Sequence, residues 1–168
     1  MNADRESDKE QRGGDIVLRP VGVVRTSRTD ATDDFWGGEV STIELDASQF
    51  GPKAVRGLEE FSHLEVVFLF DRVDPKKVVT GARRPRGRED MPEVGIFAQR
   101  AKARPNRIAV SRCRLLSVDG LKLTVAELDA IDGTPVLDVK PWLVELGPRG
   151  DVRQPDWTRE MMAYYFHE

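Results

Sequence analysis

A chain of 168 residues is the size of a single domain with one core, and its 39% hydrophobic and 33% charged residues exclude both a wholly disordered chain and a polycation. With 26 basic against 29 acidic side chains, overall charge selects no partner. One cysteine and two histidines exclude a disulfide scaffold and a zinc centre; no apolar run reaches the roughly 18 to 20 residues of a membrane helix, and the acidic N-terminal stretch does not read as a signal peptide, so a cytoplasmic protein is expected.

Residues 1–15 mix both charges with Gly13 and Gly14 and have no apolar period, which predicts a disordered tail outside the fold. Ile16, Leu18, Val21, Val23 and Val24 predict a strand over 16–27, interrupted or put at an edge by Pro20. Residues 40–46 alternate Ile43 and Leu45 against Thr42 and Glu44, and 54–61 resembles one or two helical turns. Over 64–70 only Glu65 is polar, which predicts a central strand covered on both faces. Four more strands are expected at 94–100, 107–117, 121–129 and 136–140, with Asp119-Gly120 as a tight hairpin turn. In the third of these, the alternation of Leu121, Leu123 and Val125 would carry Glu127 and Asp129 onto the core face, so a bulge or strand end near Ala126 is expected to re-aim both acids. Asp156 is a candidate N-cap for a helix over 156–166 bearing Trp157, Met161, Tyr164 and Tyr165 on one face.

About seven strands and only two short helical stretches predict a mainly β fold, a small antiparallel or mixed barrel with short helices and a C-terminal helix, and not a Rossmann fold. The expected organisation is a tail over 1–15, a barrel domain over 16–146 and an extension over 147–168. The long irregular segments 25–39 and 74–93 are where function is expected. There is no dinucleotide fingerprint, phosphate-binding loop, paired-histidine helix or nucleophile elbow. Charge is uneven: 80–110 holds Arg83, Arg84, Arg86, Arg88, Arg100, Lys102, Arg104 and Arg107 against Glu89, Asp90 and Glu93, whereas 29–46 holds six acids and no base. A basic stripe of this kind suits phosphate contacts if its arginines converge.

The most specific segments are GLEEFSHL (57–64), GIFAQR (95–100), RPNRI (104–108) and LDAIDGTPVLDVKP (128–141). In this order they closely resemble the TsaA-like (TrmO/YaeB-type) family, over roughly residues 18–141. The resemblance implies a small β-barrel that binds S-adenosylmethionine without a Rossmann frame, generally as a homodimer, and that transfers a methyl group to the exocyclic nitrogen of threonylcarbamoyl-adenosine beside the tRNA anticodon. This chain departs from the family pattern where it reads Arg107-Ile108-Ala109 for the usual Pro-Ile-Gly, and where it has Asp71 for a common histidine.

Cofactor contacts implied by the resemblance are Asp71 and Arg72 after the central strand, Arg100 at the end of GIFAQR, Val110 and Ser111 largely through backbone, and Leu128 and Asp129. Asp34 is a further expected cofactor contact, beside Phe35 and Trp36, whose aromatic rings, in a loop bounded by Gly37 and Gly38, could cover adenine or the sulfonium. Substrate contacts are expected from Arg84, Arg86, Arg104, Asn106 and Lys140. Asp129 and Asp132 are the candidates for taking a proton from an amide-like nitrogen. His63 reads as a turn or core histidine and Cys113 as a small packing residue. No metal is expected, since methyl transfer from a sulfonium asks only for an aligned nucleophile in a site that excludes water. The leading expectation is therefore a tRNA (adenine(37)-N6)-methyltransferase; the alternatives are a methyltransferase of the same fold on another RNA or a small molecule, and a module that binds S-adenosylmethionine without turnover.

Overall fold

The computed structural model describes residues 14–168; of the tail expected over 1–15, residues 1–13 lie outside the described residues, and Gly14 and Asp15 are exposed. Among the described residues the strands are β1 (Gly22–Arg25), β2 (Val40–Leu45), β3 (His63–Leu69), β4 (Ala82–Arg83), β5 (Val94–Gly95), β6 (Ile108–Asp119), β7 (Lys122–Ala126) and β8 (Pro135–Pro141), and one short α-helix, α1, spans Asp156–Met161. Six of the strands close a barrel in the order β1-β2-β7-β6-β3-β8. Every pairing in it is antiparallel, while β4 and β5 pair with each other outside it.

Alternation along the strands fills the interior. Leu64, Val66 and Phe68 of β3 point inward with Ile43, Leu123, Val125 and Val136, all fully buried. Each such side chain contributes roughly 1.5 to 3 kcal/mol by leaving water. A barrel this narrow is packed by its own side chains, so a ligand must be met at a rim and not inside. Cys113 belongs to this core, as expected of a packing residue.

Several elements differ from the sequence expectation for local reasons. The strand expected over 16–27 shrinks to Gly22–Arg25, and Ile16, Val17 and Leu18, ahead of Pro20, stay exposed. β3 is not covered on both faces: Glu65, Val67 and Leu69 form a half-buried outer face, as the wall of a barrel must. The turns expected over 54–61 are two 3-10 turns, Pro52–Val55 and Leu58–Glu60, divided by Gly57. The strand expected over 94–100 stops at Gly95, because Ile96–Ala98 turn to bury Ile96. The C-terminal helix ends at Met161, and Pro155, not Asp156, stands at its N-cap; no side chain caps it. The hairpin is as expected, with Gly120 at φ +55° and Asp119 opposite Lys122.

Antiparallel order has one consequence for function. The C-terminal ends of β1, β3 and β7 share one rim, so the loops 26–39, 70–107 and 127–134 all emerge there. The opposite rim carries 46–62, the Gly120 hairpin and the end of β8. From that far rim the chain returns, and the backbone carbonyls of Tyr164, Tyr165 and His167 accept from the N–H groups of Phe35, Trp36 and Gly37 at 3.1, 2.8 and 3.2 Å.

Candidate functional site

In the first rim loop Arg28 acts as a hub. Its guanidinium donates to the carbonyls of Phe35 at 2.6 Å and Asp34 at 2.8 Å, and to the Thr32 hydroxyl. It also lies 3.5 Å above the Trp36 ring, a cation–π contact. Trp36 is therefore buried, with one face taken, whereas Phe35 keeps an exposed ring.

The second loop is fastened to the first by charge. Arg86 donates to both oxygens of Asp34, at 2.7 and 2.8 Å, and lies 3.9 Å from Asp33; the hydrogen bonds to Asp34 raise the guanidinium pKa further, against the opposing effect of burial. Lys102 reaches Asp33 at 2.8 Å. Arg84 donates to the Met91 carbonyl, and Arg104 to the Gln99 carbonyl at 2.9 Å. Gln99, itself buried, donates its amide to the carbonyls of Arg83 at 2.8 Å and Val94 at 2.9 Å, taking the place of a sheet ladder. Arg100 donates to the Val110 carbonyl at 2.5 Å and so joins two of the expected cofactor positions.

The third loop begins where the alternation of β7 fails. β7 ends at Ala126, and Glu127 takes φ +65°, with its N–H donating to the Glu39 carbonyl at 2.8 Å. That left-handed residue buries Leu128 and turns Asp129 toward the C-terminal segment. The Tyr165 hydroxyl donates to Asp129 Oδ2, while Asp129 Oδ1 is buried with no hydrogen-bond partner among the described residues. Burial, followed by the Asp129 charge and this hydrogen bond, pushes the Tyr165 hydroxyl well above its ordinary pKa. Asp132 serves the turn itself: its Oδ1 accepts from the Thr26 N–H at 3.2 Å, and its carbonyl accepts from Arg72 at 2.9 Å.

Among the described residues the non-glycine positions at positive φ are Phe35, Arg86, Asn106, Arg107 and Glu127. All five lie in the three loops of one rim. Such conformations cost of the order of 1 to 3 kcal/mol each and gather where a site fixes its geometry.

The rim thus brings together Asp34, Phe35, Trp36, Arg72, Arg86, Leu128, Asp129 and Asp132, with Asp71, Arg84, Arg100, Arg104 and Asn106 on the same long loop and Val110 and Ser111 at the adjoining start of β6. It does not include Lys140. That residue sits near the far end of β8, opposite Glu65, about 17 Å along the strand from the rim, and pairs with Asp138. His63 is also at the far rim, exposed, 2.8 Å from the Ser62 hydroxyl. Arg28, Gln99 and Tyr165 are the rim-organising side chains that the sequence did not announce. Their partners lie elsewhere in the chain, and only folding reveals them. For Tyr165 a signal existed in the aromatic run Tyr164-Tyr165-Phe166, which outlasts the helix.

Comparison with known proteins agrees with this geometry. The tRNA-methyltransferase O N-terminal domain model matches residues 34–147. A protein of Pyrococcus abyssi named "Probable S-adenosyl-L-methionine-binding protein" is 33% identical over 141 residues, covering 82% of this chain and 74% of the relative. One of the same name from Methanothermobacter thermautotrophicus is 37% identical over 141 residues, covering 81% and 96%. The tRNA (adenine(37)-N6)-methyltransferase of Escherichia coli is 41% identical over 98 residues, covering 54% of this chain and 40% of the enzyme. A crystal structure of TrmO superposes with a TM-score of 0.69 at 29% identity, covering 84% of this chain and 64% of the other. The chain therefore spans under two thirds of that TrmO structure and less than half of the bacterial enzyme. No helix among the described residues is long and apolar enough to cross a membrane.

Proposed function

From the premise that the chain belongs to the family of the tRNA-methyltransferase O N-terminal domain, we propose that it is an S-adenosylmethionine-dependent methyltransferase acting on tRNA, at the exocyclic N6 of threonylcarbamoyl-adenosine 37. The observation that carries this reading is the buried Asp129 Oδ1, without a hydrogen-bond partner among the described residues, at a rim built from the family's matching segments. A buried acceptor without a donor costs about 1 to 3 kcal/mol, and S-adenosylmethionine, with its amino and hydroxyl groups, has donors of the kind that this oxygen lacks. The residues present therefore fit the cofactor.

When bound, the cofactor supplies an electrophilic methyl group on a sulfonium, and transfer forms the N6–CH3 bond as the methyl–sulfur bond breaks, leaving a neutral thioether and a proton to be taken from N6. Asp129 orients the donor group through Oδ1. Arg100, fixed on the Val110 carbonyl, offers a cation for the carboxylate end. The exposed Phe35 ring offers a face for adenine or the sulfonium. Asp71 and Arg72 close the side next to the Asp132 turn, and Val110, Ser111 and Leu128 contribute backbone, the Ser111 and Leu128 side chains being buried. Asp132 accepts from a backbone N–H and Asp129 is engaged through both oxygens, so the N6 proton passes to water. Arg84, Arg104 and Asn106 lie on the loop facing the substrate. The barrel domain is taken as 16–146 with 147–168 as its extension, and the protein is taken to work in the cytoplasm as a homodimer, a reading supported by the exposed Phe97, Val144 and Leu146 and testable by light scattering.

A second reading, a small-molecule acceptor, is favoured by one observation: Arg86, Arg88 and Lys102 are matched by Asp34, Asp90, Glu160 and Asp33, which shrinks the basic stripe available to RNA. Mass spectrometry of nucleosides from total tRNA, with and without the gene, separates the two. Loss of methylated threonylcarbamoyl-adenosine supports tRNA; an unchanged profile alongside calorimetric binding of S-adenosylmethionine supports the second. Binding with no turnover on any acceptor would leave a cofactor-binding module.

A further inference from the structure

The segment after α1 makes contacts that the cofactor reading does not use. Three backbone hydrogen bonds seat it along Phe35, Trp36 and Gly37. Gly37 is needed for that approach: a Cβ there would stand 2.8 Å from the Phe166 carbonyl carbon and 2.9 Å from that of His167, distances that side-chain atoms essentially never occupy. Arg88 ties α1 down through Glu160 at 2.6 Å, and the Tyr164 ring stands 6.4 Å from Phe35 and 5.3 Å from His167. From this frame Tyr165 reaches back across 36 positions of sequence to Asp129 Oδ2.

We propose that residues 164–168 form a wall of the cofactor site and that Tyr165 is a positioning residue for Asp129, holding the carboxylate so that Oδ1 stays turned to the cofactor's donor group. This rests on the reading of Asp129 as a cofactor contact. Oδ1 is buried and has no hydrogen-bond partner among the described residues, while Oδ2 accepts from Tyr165. Without the Tyr165 hydroxyl the carboxylate is free to rotate and to draw water into the site. The charged groups acting on Tyr165 are Asp129, Arg100, Asp33 and Arg86, and the Asp129 charge also acts on the Cys113 thiol in the barrel core. With its pKa raised, the tyrosine remains a donor throughout the neutral range, so the hold is permanent and not a switch.

The test is calorimetric titration of S-adenosylmethionine into the full chain as wild type, Tyr165→Phe, Gly37→Ala, Asp129→Asn and the Tyr165→Phe/Asp129→Asn double variant, with melting temperatures taken in parallel. Tyr165→Phe keeps the ring and should bind about 10-fold more weakly, as expected for a lost hydrogen bond to a charged group. Gly37→Ala, which unseats the segment without altering either partner, should show a loss of the same order. The double variant should bind no worse than Asp129→Asn alone, because Tyr165 acts through that carboxylate; a merely structural tyrosine would multiply the two losses. Wild-type affinity in Tyr165→Phe, multiplied losses in the double variant, or tighter binding by Gly37→Ala would each overturn the proposal, the last by making the segment a competitor of the cofactor. If Gly37→Ala does not fold, the Tyr165/Asp129 cycle decides alone. Absence of binding by the wild type is a separate result, which overturns the cofactor reading itself.

Discussion

Arg86 donates to both carboxylate oxygens of Asp34, at 2.7 and 2.8 Å, across 52 positions of chain. One of these residues was expected at the cofactor and the other at a phosphate, and the pair fastens two rim loops to each other. Both side chains are about four-fifths shielded from solvent, so the contact is firmer than an ordinary surface ion pair.

Asp34→Ala and Arg86→Ala should each destabilise the protein by about 1 kcal/mol, a fall in Tm of roughly 2 to 4 °C for a chain of this size. Because each acts through the other, the double variant should lose little more than either single one. Additive losses in thermal melts would mean that the two loops are held independently.

Charge pairing also redistributes the expected RNA contacts. Arg84 and Arg104 have carbonyl partners and no carboxylate partner among the described residues, whereas Arg86 is neutralised by Asp34. In tRNA binding measured over a salt series, Arg84→Ala and Arg104→Ala should each flatten the log-log slope by somewhat under one unit. Arg86→Ala should leave the slope nearly unchanged. Equal flattening by all three would show that the Asp34 pair opens on RNA.

Gln99 is the polar residue on which the second loop turns. Replacing it with leucine keeps bulk but strips the Arg83 and Val94 carbonyls of their donor, which should cost about 2 kcal/mol. Chemical denaturation reads this directly, and a loss below about 0.5 kcal/mol would mean that water substitutes at both carbonyls.

Burial, with the charge of Asp129 adding to it, pushes the Cys113 thiol from 9.0 up to about 12. The folded protein therefore keeps a proton that the unfolded chain releases, so stability is fully present below about pH 9 and declines as pH rises toward 12. Melting temperature should fall across that window, less steeply in Cys113→Ala once its lower starting stability is allowed for. A thiol reagent at pH 8 should leave Cys113 unmodified until denaturant is added.

The strands most legible in the sequence were those whose alternation and turn chemistry agree. β2, β6 and the Asp119-Gly120 hairpin follow from local residue type, and the broken alternation at Glu127 correctly marked where β7 would stop and Asp129 be re-aimed. Where the sequence misled, tertiary contacts had overridden a local preference. GIFAQR has the composition of a strand, yet Ile96 gains more by turning into a buried site, and Gln99 then supplies the hydrogen bonds that a ladder would have supplied. The rim residues could be named from their segments. Their mutual pairing could not, because Asp34 with Arg86 depends on which loops share an end of the barrel, and Asp129 with Tyr165 on the return of the C-terminal segment to that end.

β8 is the last barrel strand in the chain and the one that joins β3 to β1, and its seam with β1 is short, pairing Gly22 with Val136 and Val23 with Pro135. A nascent chain emerging from the ribosome cannot close its sheet before residue 135 has been made, and until then it carries two unpaired edges open to other chains. The residues that would finish the site are made later still. Translation thus delivers the sheet, then its closure, then Tyr165, and a product cut short after Pro141 would hold every barrel strand while lacking the hydroxyl that steadies Asp129.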